Sequence, residues 1–425
     1  MDALSKQLWS LMDDCRGSME VNHTLELISY VAFIAKENPE SFQIIANSGH
    51  AKQLDMLIEA GEALKDKHPN EVCIAPNQYR IDAKIINLVV SFIAAIADFA
   101  SLANVIREYH VQTFGKFTGE FSANQSMERI FSALVGDCSS RTVYDGACGL
   151  TRIASSLNPA MLYLEEKNHS TYVTAYRLLT LENRQFKLAS TDSLLEPAFN
   201  REQQFDVVVM EPPMAQKFSA DERRMLVEAP FISVPVGKAV SANSGDSLWI
   251  QQALSNLNET GKGYIVLPQG ILFRGGYDGK VREHLLENEL LEAVIGLPAS
   301  VLSGTGIAPV ILVLNKNKQA GSPVVFVDAS AIGTPNKNSV VISEKDALLI
   351  ADLAAGKLTD DERYKSVFIP EIRQQNNELS ISRYIEKQVE VEELDIAQEL
   401  KILNSYQAEF EQSQQTLTSL LSKYQ

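Results

Sequence analysis

The chain of 425 residues is long enough for two or three domains, and its 45% hydrophobic and 22% charged content describes an ordinary globular protein. No run approaches the ~20 apolar residues of a membrane span, Met1-Asp2-Ala3-Leu4 does not open a basic-then-apolar signal pattern, and Cys15, Cys73, Cys138 and Cys148 lack metal-like or disulfide-like spacing, so a cytoplasmic protein with reduced thiols and no membrane partner is expected. A net charge of −16 argues against gripping nucleic acid alone, because counterion release needs a basic face, and suits a subunit whose affinity comes mainly from a partner.

Residues 1–110 read as a helical bundle domain. Leu25 to Ala35 is strongly apolar with helix formers, Leu54, Leu57 and Ile58 fall at helical spacing, and Ile81 to Phe99 reads as one long apolar helix. Pro69-Asn70 and Ala75-Pro76-Asn77 mark loops between them. Residues 111–335 alternate short β-rich runs with helical patterns. The expected strands are Thr142–Tyr144, Met161–Glu165, Phe186–Ala189, Phe205–Met210, Gly263–Leu267, Leu291–Leu297, Pro309–Asn315 and Pro323–Val327. Such alternation predicts a mainly parallel sheet covered on both faces. The Gly-rich connection between Leu291–Leu297 and Pro309–Asn315 predicts a hairpin rather than a crossover. Residues 336–390 read as connecting sequence. Residues 391–425 form a coiled-coil-like helix, with Ile396, Leu403, Phe410, Leu417 and Tyr424 at heptad spacing and Leu400 and Leu421 on the companion row, which Gln407 and Gln414 weaken. Packing on the helical domain and pairing with another subunit are both open for this helix.

Two segments carry the chemistry, Val143-Tyr144-Asp145-Gly146-Ala147-Cys148-Gly149-Leu150 and Phe205-Asp206-Val207-Val208-Val209-Met210-Glu211-Pro212-Pro213-Met214. Each is an apolar strand ending in a turn, where an open α/β sheet places its ligands. After the first, Asp145 and Gly149 let backbone amides approach a ligand closely, with Ala147 between them. About twenty residues on, Leu162-Tyr163-Leu164 ends in Glu165-Glu166, at the spacing of a carboxylate that binds ribose hydroxyls. Thr191-Asp192 follows the next strand, within reach of an adenine edge. Taken singly, each such residue is more often a helix cap; together, after successive strands, they point to a nucleoside. Asp206 and Cys148 read as structural. In Glu211-Pro212-Pro213-Met214, the prolines fix φ and stiffen the backbone after a buried strand.

The two segments resemble motifs I and IV of the DNA adenine-N6 methyltransferases. The resemblance widens in Ser244-Gly245-Asp246-Ser247-Leu248-Trp249-Ile250-Gln251, in Gly261 through Gly276, in Val294-Ile295-Gly296-Leu297-Pro298, in Gly304-Thr305-Gly306-Ile307 and in Asn377 through Ile385. These runs, with the helical ends, look like the modification (M) subunits of type I restriction–modification systems. The resemblance implies a Rossmann-like α/β methyltransferase sheet between an N-terminal helical bundle and a C-terminal helical tail. It implies S-adenosylmethionine held by Asp145, Ala147, Gly149, Glu166 and Asp192. Glu211, Pro212, Pro213 and Met214 would then meet a flipped target base, the polar residue and a backbone carbonyl accepting from the amine to be methylated. Its partners would be double-stranded DNA, a specificity (S) subunit because little sequence remains for a base-reading domain, and, in systems with a nuclease, a restriction (R) subunit, in a hetero-oligomer with two M-type subunits. Arg274, Lys280 and Arg282 are candidates for phosphate contacts.

The chain departs from the family pattern at motifs I, IV and X. The usual Asp-Pro-Ala-Cys-Gly-Thr-Gly-Gly is Asp145-Gly146-Ala147-Cys148-Gly149-Leu150-Thr151-Arg152, so two glycines are replaced. The usual Gly-x-Phe-Tyr/Phe-Thr-Pro is Gly119-Glu120-Phe121-Ser122-Ala123-Asn124, and Asn-Pro-Pro-Phe is Glu211-Pro212-Pro213-Met214. Met214 lacks a stacking face worth ~1–3 kcal/mol. Two readings follow: a DNA-modification subunit with methyl transfer retained, reduced or lost, and a catalytically inactive DNA-binding or assembly scaffold in a defence complex that holds the cofactor weakly or not at all. Methylation of RNA or of protein glutamine fits the long matching region less well.

Overall fold

The computed structural model describes residues 3–76, 81–114, 124–199, 203–214, 216–237, 240, 245–337, 339–386 and 396–422. Two compact units, Met1–Ile385 and Glu386–Gln425, are taken in turn.

The first unit opens with α1 (Ala3–Cys15), α2 (Val21–Glu37), α3 (Pro39–Ala46), α4 (His50–Glu62), α5 (Ala83–Ala94) and α6 (Phe99–Phe114). Helix α2 is the centre of the bundle: every residue from Leu27 to Ala35 is buried, as the unbroken apolar run requires. The expected single helix from Ile81 to Phe99 is instead two. Asp98 accepts hydrogen bonds from the backbone N–H of Ala100 and Ser101. It thereby caps a new helix rather than continuing the old one.

There follow α7 (Gln125–Val135), β1 (Thr142–Asp145), α8 (Arg152–Ser156), β2 (Met161–Glu166), α9 (His169–Leu181), β3 (Phe186–Ser190), β4 (Phe205–Met210), α10 (Ala220–Met225), α11 (Gly245–Asn256), β5 (Leu257–Pro268), α12 (Tyr277–Glu287), β6 (Leu291–Gly296), β7 (Pro309–Asn315) and β8 (Val324–Asp328). A short hairpin, β9 (Thr334–Asn336) and β10 (Ser339–Val341), precedes α13 (Glu344–Ala354), β11 (Tyr364–Val367) and α14 (Ile369–Gln374). The main sheet has nine strands in the order β11-β8-β6-β7-β5-β4-β1-β2-β3. Strands β3, β2, β1, β4 and β5 run parallel, β7 is antiparallel to both β5 and β6, and β11 is antiparallel to β8. The expected hairpin of β6 and β7 is present, with Ile295 opposite Ile311, and β7 inserts between β5 and β6.

The sheet is covered on both faces, and strand alternation divides it between them. Val207 and Val209 enter one apolar cluster with α7, α8 and α13; Val208 and Met210 enter the other with α11 and α12. Helix α9 joins the sheet to the bundle: Leu179 packs toward the sheet, whereas Tyr172, Leu178 and Leu181 pack with the N-terminal helices. Order reverses between β1 and β4, so the carboxyl ends of these strands form the topological switch point.

The second unit is the helix α15 (Ile396–Leu421). Leu400, Leu403, Phe410, Leu417 and Leu421 are all exposed on it. Tyr424, the last heptad position, lies outside the described residues. No helix among the described residues is long and apolar enough to cross a membrane.

Candidate active site at the switch point

The first turn begins at Asp145, which ends β1 and is buried at 3% exposure. Its Oδ1 accepts from the backbone N–H of Ala147 at 3.0 Å, closing a tight turn. Gly149 has φ +51°, and a Cβ built on it would meet nothing within 4 Å, so open space lies in front of the turn. Gly146 is compelled locally. A Cβ there would stand 2.7 Å from the Tyr144 hydroxyl, which is tied to Glu165 and Gln252 inside the sheet. The family proline and this buried tyrosine hydroxyl compete for one space.

The carboxyl ends of β2 and β3 reinforce the same turn. Glu165 points inward, its carboxylate bonded to the Tyr144 hydroxyl and to the N–H of Ala198. Glu166 points to the turn, where Oε2 accepts from the Gly149 N–H at 2.9 Å and Oε1 from the Asn168 N–H at 2.7 Å. Ser193 donates to the carbonyl of Gly146 at 2.5 Å. Asp192, beside it, accepts from the N–H of Leu194 and Leu195 and pairs with Lys167 at 2.9 Å.

From β4, Glu211 meets the β1 turn. Asp145, Ala147, Cys148, Gly149 and Glu211 share the wall of one cavity of about 100 Å³. Both Glu211 carboxyl oxygens are buried without a hydrogen-bond partner. Burial, reinforced by the neighbouring Asp145 and opposed by Arg152, pushes its carboxyl up to about 8. Burial likewise raises Asp145 to about 7, against the hydrogen bond from Ala147. Pro212, Pro213 and Met214 are not among the residues lining this cavity, and neither are Glu166 and Asp192. Pro212 is buried, and Met214 packs half-buried against the apolar layer under α7 and α13.

Sequence reasoning missed the third wall. Arg107, His110 and Val111 of α6 line the cavity opposite the sheet. Arg107, 2% exposed, donates to the Leu150 carbonyl at 2.7 Å and to Thr151 Oγ1 at 3.1 Å. Its remaining donors meet Asn104 and, bidentately, Glu182. Thr151, which stands where the family has glycine, holds φ +63°, a left-handed backbone that strains a β-branched residue. Burial, with Arg152 close by, lowers His110 to about 4, so its ring is neutral at physiological pH. No sequence signal marks these residues beyond polar side chains inside a helix otherwise packed in a core.

Arg152 replaces the last glycine. It is 9% exposed, with Nη2 2.6 Å from Glu108 and Nε 2.5 Å from Glu128. Of the phosphate candidates, Arg282 is buried and donates to the carbonyls of Ile271, Arg274 and Asn377, a structural role. Arg274 is engaged by Asp246 and Asp278, and Lys280 is exposed. The altered run Gly119–Ala123 lies outside the described residues; Asn124 after it caps α7 and donates to the Val301 carbonyl at 2.7 Å.

Residues 99–393 match the family described as N-6 DNA Methylase. The methylase subunit of type I restriction enzyme MpnII from Mycoplasma pneumoniae is 29% identical over 331 residues, 73% of this chain and 60% of that protein. The MjaVIII methylase subunit from Methanocaldococcus jannaschii is 29% identical over 314 residues, 69% of this chain and 54% of that protein. The chain thus spans little more than half the length of these relatives. The crystal structure of a type I restriction-modification system methyltransferase subunit from Streptococcus thermophilus aligns with a TM-score of 0.74 at 21% identity, over 90% of this chain and 99% of that one. A chain from a study of complex assembly and conformational transition of the type I R-M system aligns at 0.68 and 17% identity, over 100% and 99%. At those identities the likeness is one of fold, whereas the family match covers more than half of the sequence: the chain belongs to the N-6 DNA methylase family.

Proposed function

We propose that this chain is the DNA-modification subunit of a type I restriction–modification-like complex, taking S-adenosylmethionine at the β1 turn and a target adenine at the β4 turn, with slowed methyl transfer. The observation that carries this reading is Glu211, whose two buried oxygens lack partners on the wall of a cavity shared with Asp145 and Gly149. A buried polar atom left unpaired costs about 1–3 kcal/mol. A ligand that brings an N–H donor relieves that cost, and the exocyclic amine of adenine is such a donor. With its carboxyl raised to about 8, Glu211 is mostly protonated at neutral pH. One oxygen then accepts from the amine while the hydroxyl donates to a ring nitrogen, so neutral Glu211 does the work of the usual Asn. The slowing is assigned to Met214, which is half-buried against the core and offers no ring to a flipped base.

The β1 turn fits the cofactor of the family: Gly149 faces open space, Glu166 ends β2, and Asp192 follows the end of β3 by two residues. Asp145, Ala147 and Gly149 would hold it, Glu166 would take its ribose and Asp192 its adenine, and when bound it supplies the methyl group. In this reading a specificity (S) subunit reads the DNA between two M-type subunits in the cytoplasm, and a restriction (R) subunit joins where the system cuts.

A second reading, an assembly scaffold without methyl transfer, is favoured by one observation. The cavity of about 100 Å³ is smaller than the ~300 Å³ at which ligand sites usually begin, and Thr151 and Arg152 stand beside it in place of glycines. The test is transfer of labelled methyl groups to DNA by the chain co-expressed with its specificity subunit. Measurable transfer, retained in Glu211→Gln and abolished in Glu211→Ala, is expected. A folded, DNA-bound complex that transfers nothing would establish the scaffold instead.

A further inference from the structure

Arg152 is the residue that the family pattern least accounts for. Its guanidinium is fixed from two sides, by Glu108 on Nη2 and Glu128 on Nε. The remaining nitrogen, Nη1, is buried and has no hydrogen-bond partner. Arg107 lines the same cavity, but its three nitrogens are all engaged, with Leu150, Thr151, Asn104 and Glu182. Among the described lining residues, Arg152 is therefore the cation with a donor to spare. Its ion pairs run to Glu108 and Glu128 and not to Asp145 or Glu211, although Arg152, Asp145 and Glu211 all lie on the cavity wall.

A guanidinium held by two carboxylates, with one edge unspent, is a pre-oriented donor for an oxygen acceptor, and carboxylate matches its geometry best. The volume bears on which part of a ligand enters. About 100 Å³ equals the liquid volume of roughly three waters, which suits the amino-acid end of a cofactor rather than the whole of it. In the family pattern this position is glycine, whose contribution is backbone; here a side chain reaches the same turn.

We infer that Arg152 binds the α-carboxylate of S-adenosylmethionine, Nη1 donating to it while Glu108 and Glu128 hold the guanidinium in place. This rests on the reading of the β1 cavity as the cofactor site. It turns the substitution that looks most damaging into the one that replaces lost backbone contacts.

The experiment is a calorimetric titration of the full chain with S-adenosylmethionine and with its decarboxylated form, which keeps sulfonium and amine and lacks only the carboxylate. A charge-assisted hydrogen bond of this kind predicts that decarboxylation weakens binding about 10- to 100-fold. Arg152→Ala should weaken S-adenosylmethionine by a similar factor and leave the decarboxylated form unchanged, collapsing the preference. Equal affinity of the unaltered chain for the two compounds would overturn the inference and leave the cofactor site standing. Tighter binding of S-adenosylmethionine by Arg152→Ala would also overturn it, making Arg152 a plug. Binding of neither compound would remove both the inference and the cofactor site. Because the decisive comparison uses the unaltered chain, poor folding of the variant does not blunt it.

Discussion

At the scale of single residues, the switch point is a place where carboxyl groups are kept from ionising. Asp145 at about 7 and Glu211 at about 8 both sit above the usual carboxylate range, chiefly because burial penalises the charged form. In the unfolded chain they ionise near pH 4, so between that pH and 7 or 8 the folded state holds protons that the unfolded state has released. Their contribution to stability is complete below about pH 4 and is lost as pH rises through 7 and 8, by up to about 1.4 kcal/mol per pH unit for each group. The urea midpoint of the chain should therefore fall between pH 5 and pH 9. Asp145→Asn should flatten the part of that slope below pH 7, and Glu211→Gln should flatten it up to pH 8. Parallel slopes in all three proteins would mean that the two carboxyls are ionised when folded, and the neutral-Glu211 mechanism would fall with them. The sequence placed these carboxyls at strand ends but could not show their protonation. That depends on three walls of burial, one of them built by a helix far away in the chain.

At the scale of elements, what was readable divides along burial. Strands covered on both faces appear as plain apolar runs: Val207-Val208-Val209 and Val310 through Leu314 mark β4 and β7 with little error. Strands with polar stretches are harder to read, although β3 at one edge of the sheet was expected. β11, Tyr364-Lys365-Ser366-Val367, is half polar, and the first residues of β5, Asn258-Glu259-Thr260, are polar where the pairing with β4 slips. Helix α6 is not read as a helix of its own, since the expected helical region ends at residue 110, and its place in the wall of the site is hidden because Arg107 reaches Leu150 across 43 residues of sequence. That reach gives the element its role: Arg107 anchors α6 to the β1 turn and to Glu182 of the α9 C-cap. Arg107→Ala should destabilise the fold by roughly 3–5 kcal/mol, since it leaves the buried Glu182 with only Arg184, 4.0 Å away, for a partner. Arg107→Met combined with Glu182→Met should recover most of that loss in thermal melts, because no charge is then stranded. In the proposed reading, cofactor affinity should be low in the single and the double variant alike, as the Leu150 carbonyl and Thr151 are unclamped in each. Recovery of both would reduce Arg107 to a structural ion pair with no hold on the turn.

At the scale of the whole molecule, the net charge is −16, Arg282 is buried and Arg274 is paired with Asp246 and Asp278, so in the proposed reading DNA affinity is borrowed from a partner. In the proposed reading, the C-terminal helix is where that partner docks. α15 runs 26 residues, about 39 Å at the usual rise, and Phe410 is 68% exposed and Leu403 61% exposed on a single heptad row. Most helical stability in proteins comes from packing an apolar face rather than from propensity, and this face carries Leu400, Leu403, Phe410, Leu417 and Leu421 in the open. Gln407 and Gln414 on the companion row weaken the seam without breaking it, a pattern that favours a chosen partner over indiscriminate pairing. A charged residue at the seam places an unpaired, desolvated charge in any helix–helix contact. Leu403→Asp with Phe410→Asp should therefore abolish co-purification with a co-expressed specificity subunit, while the melting transition of the Met1–Ile385 unit, whose three apolar clusters lie within it, stays where it was. Undiminished co-purification would move the partner-binding surface off α15.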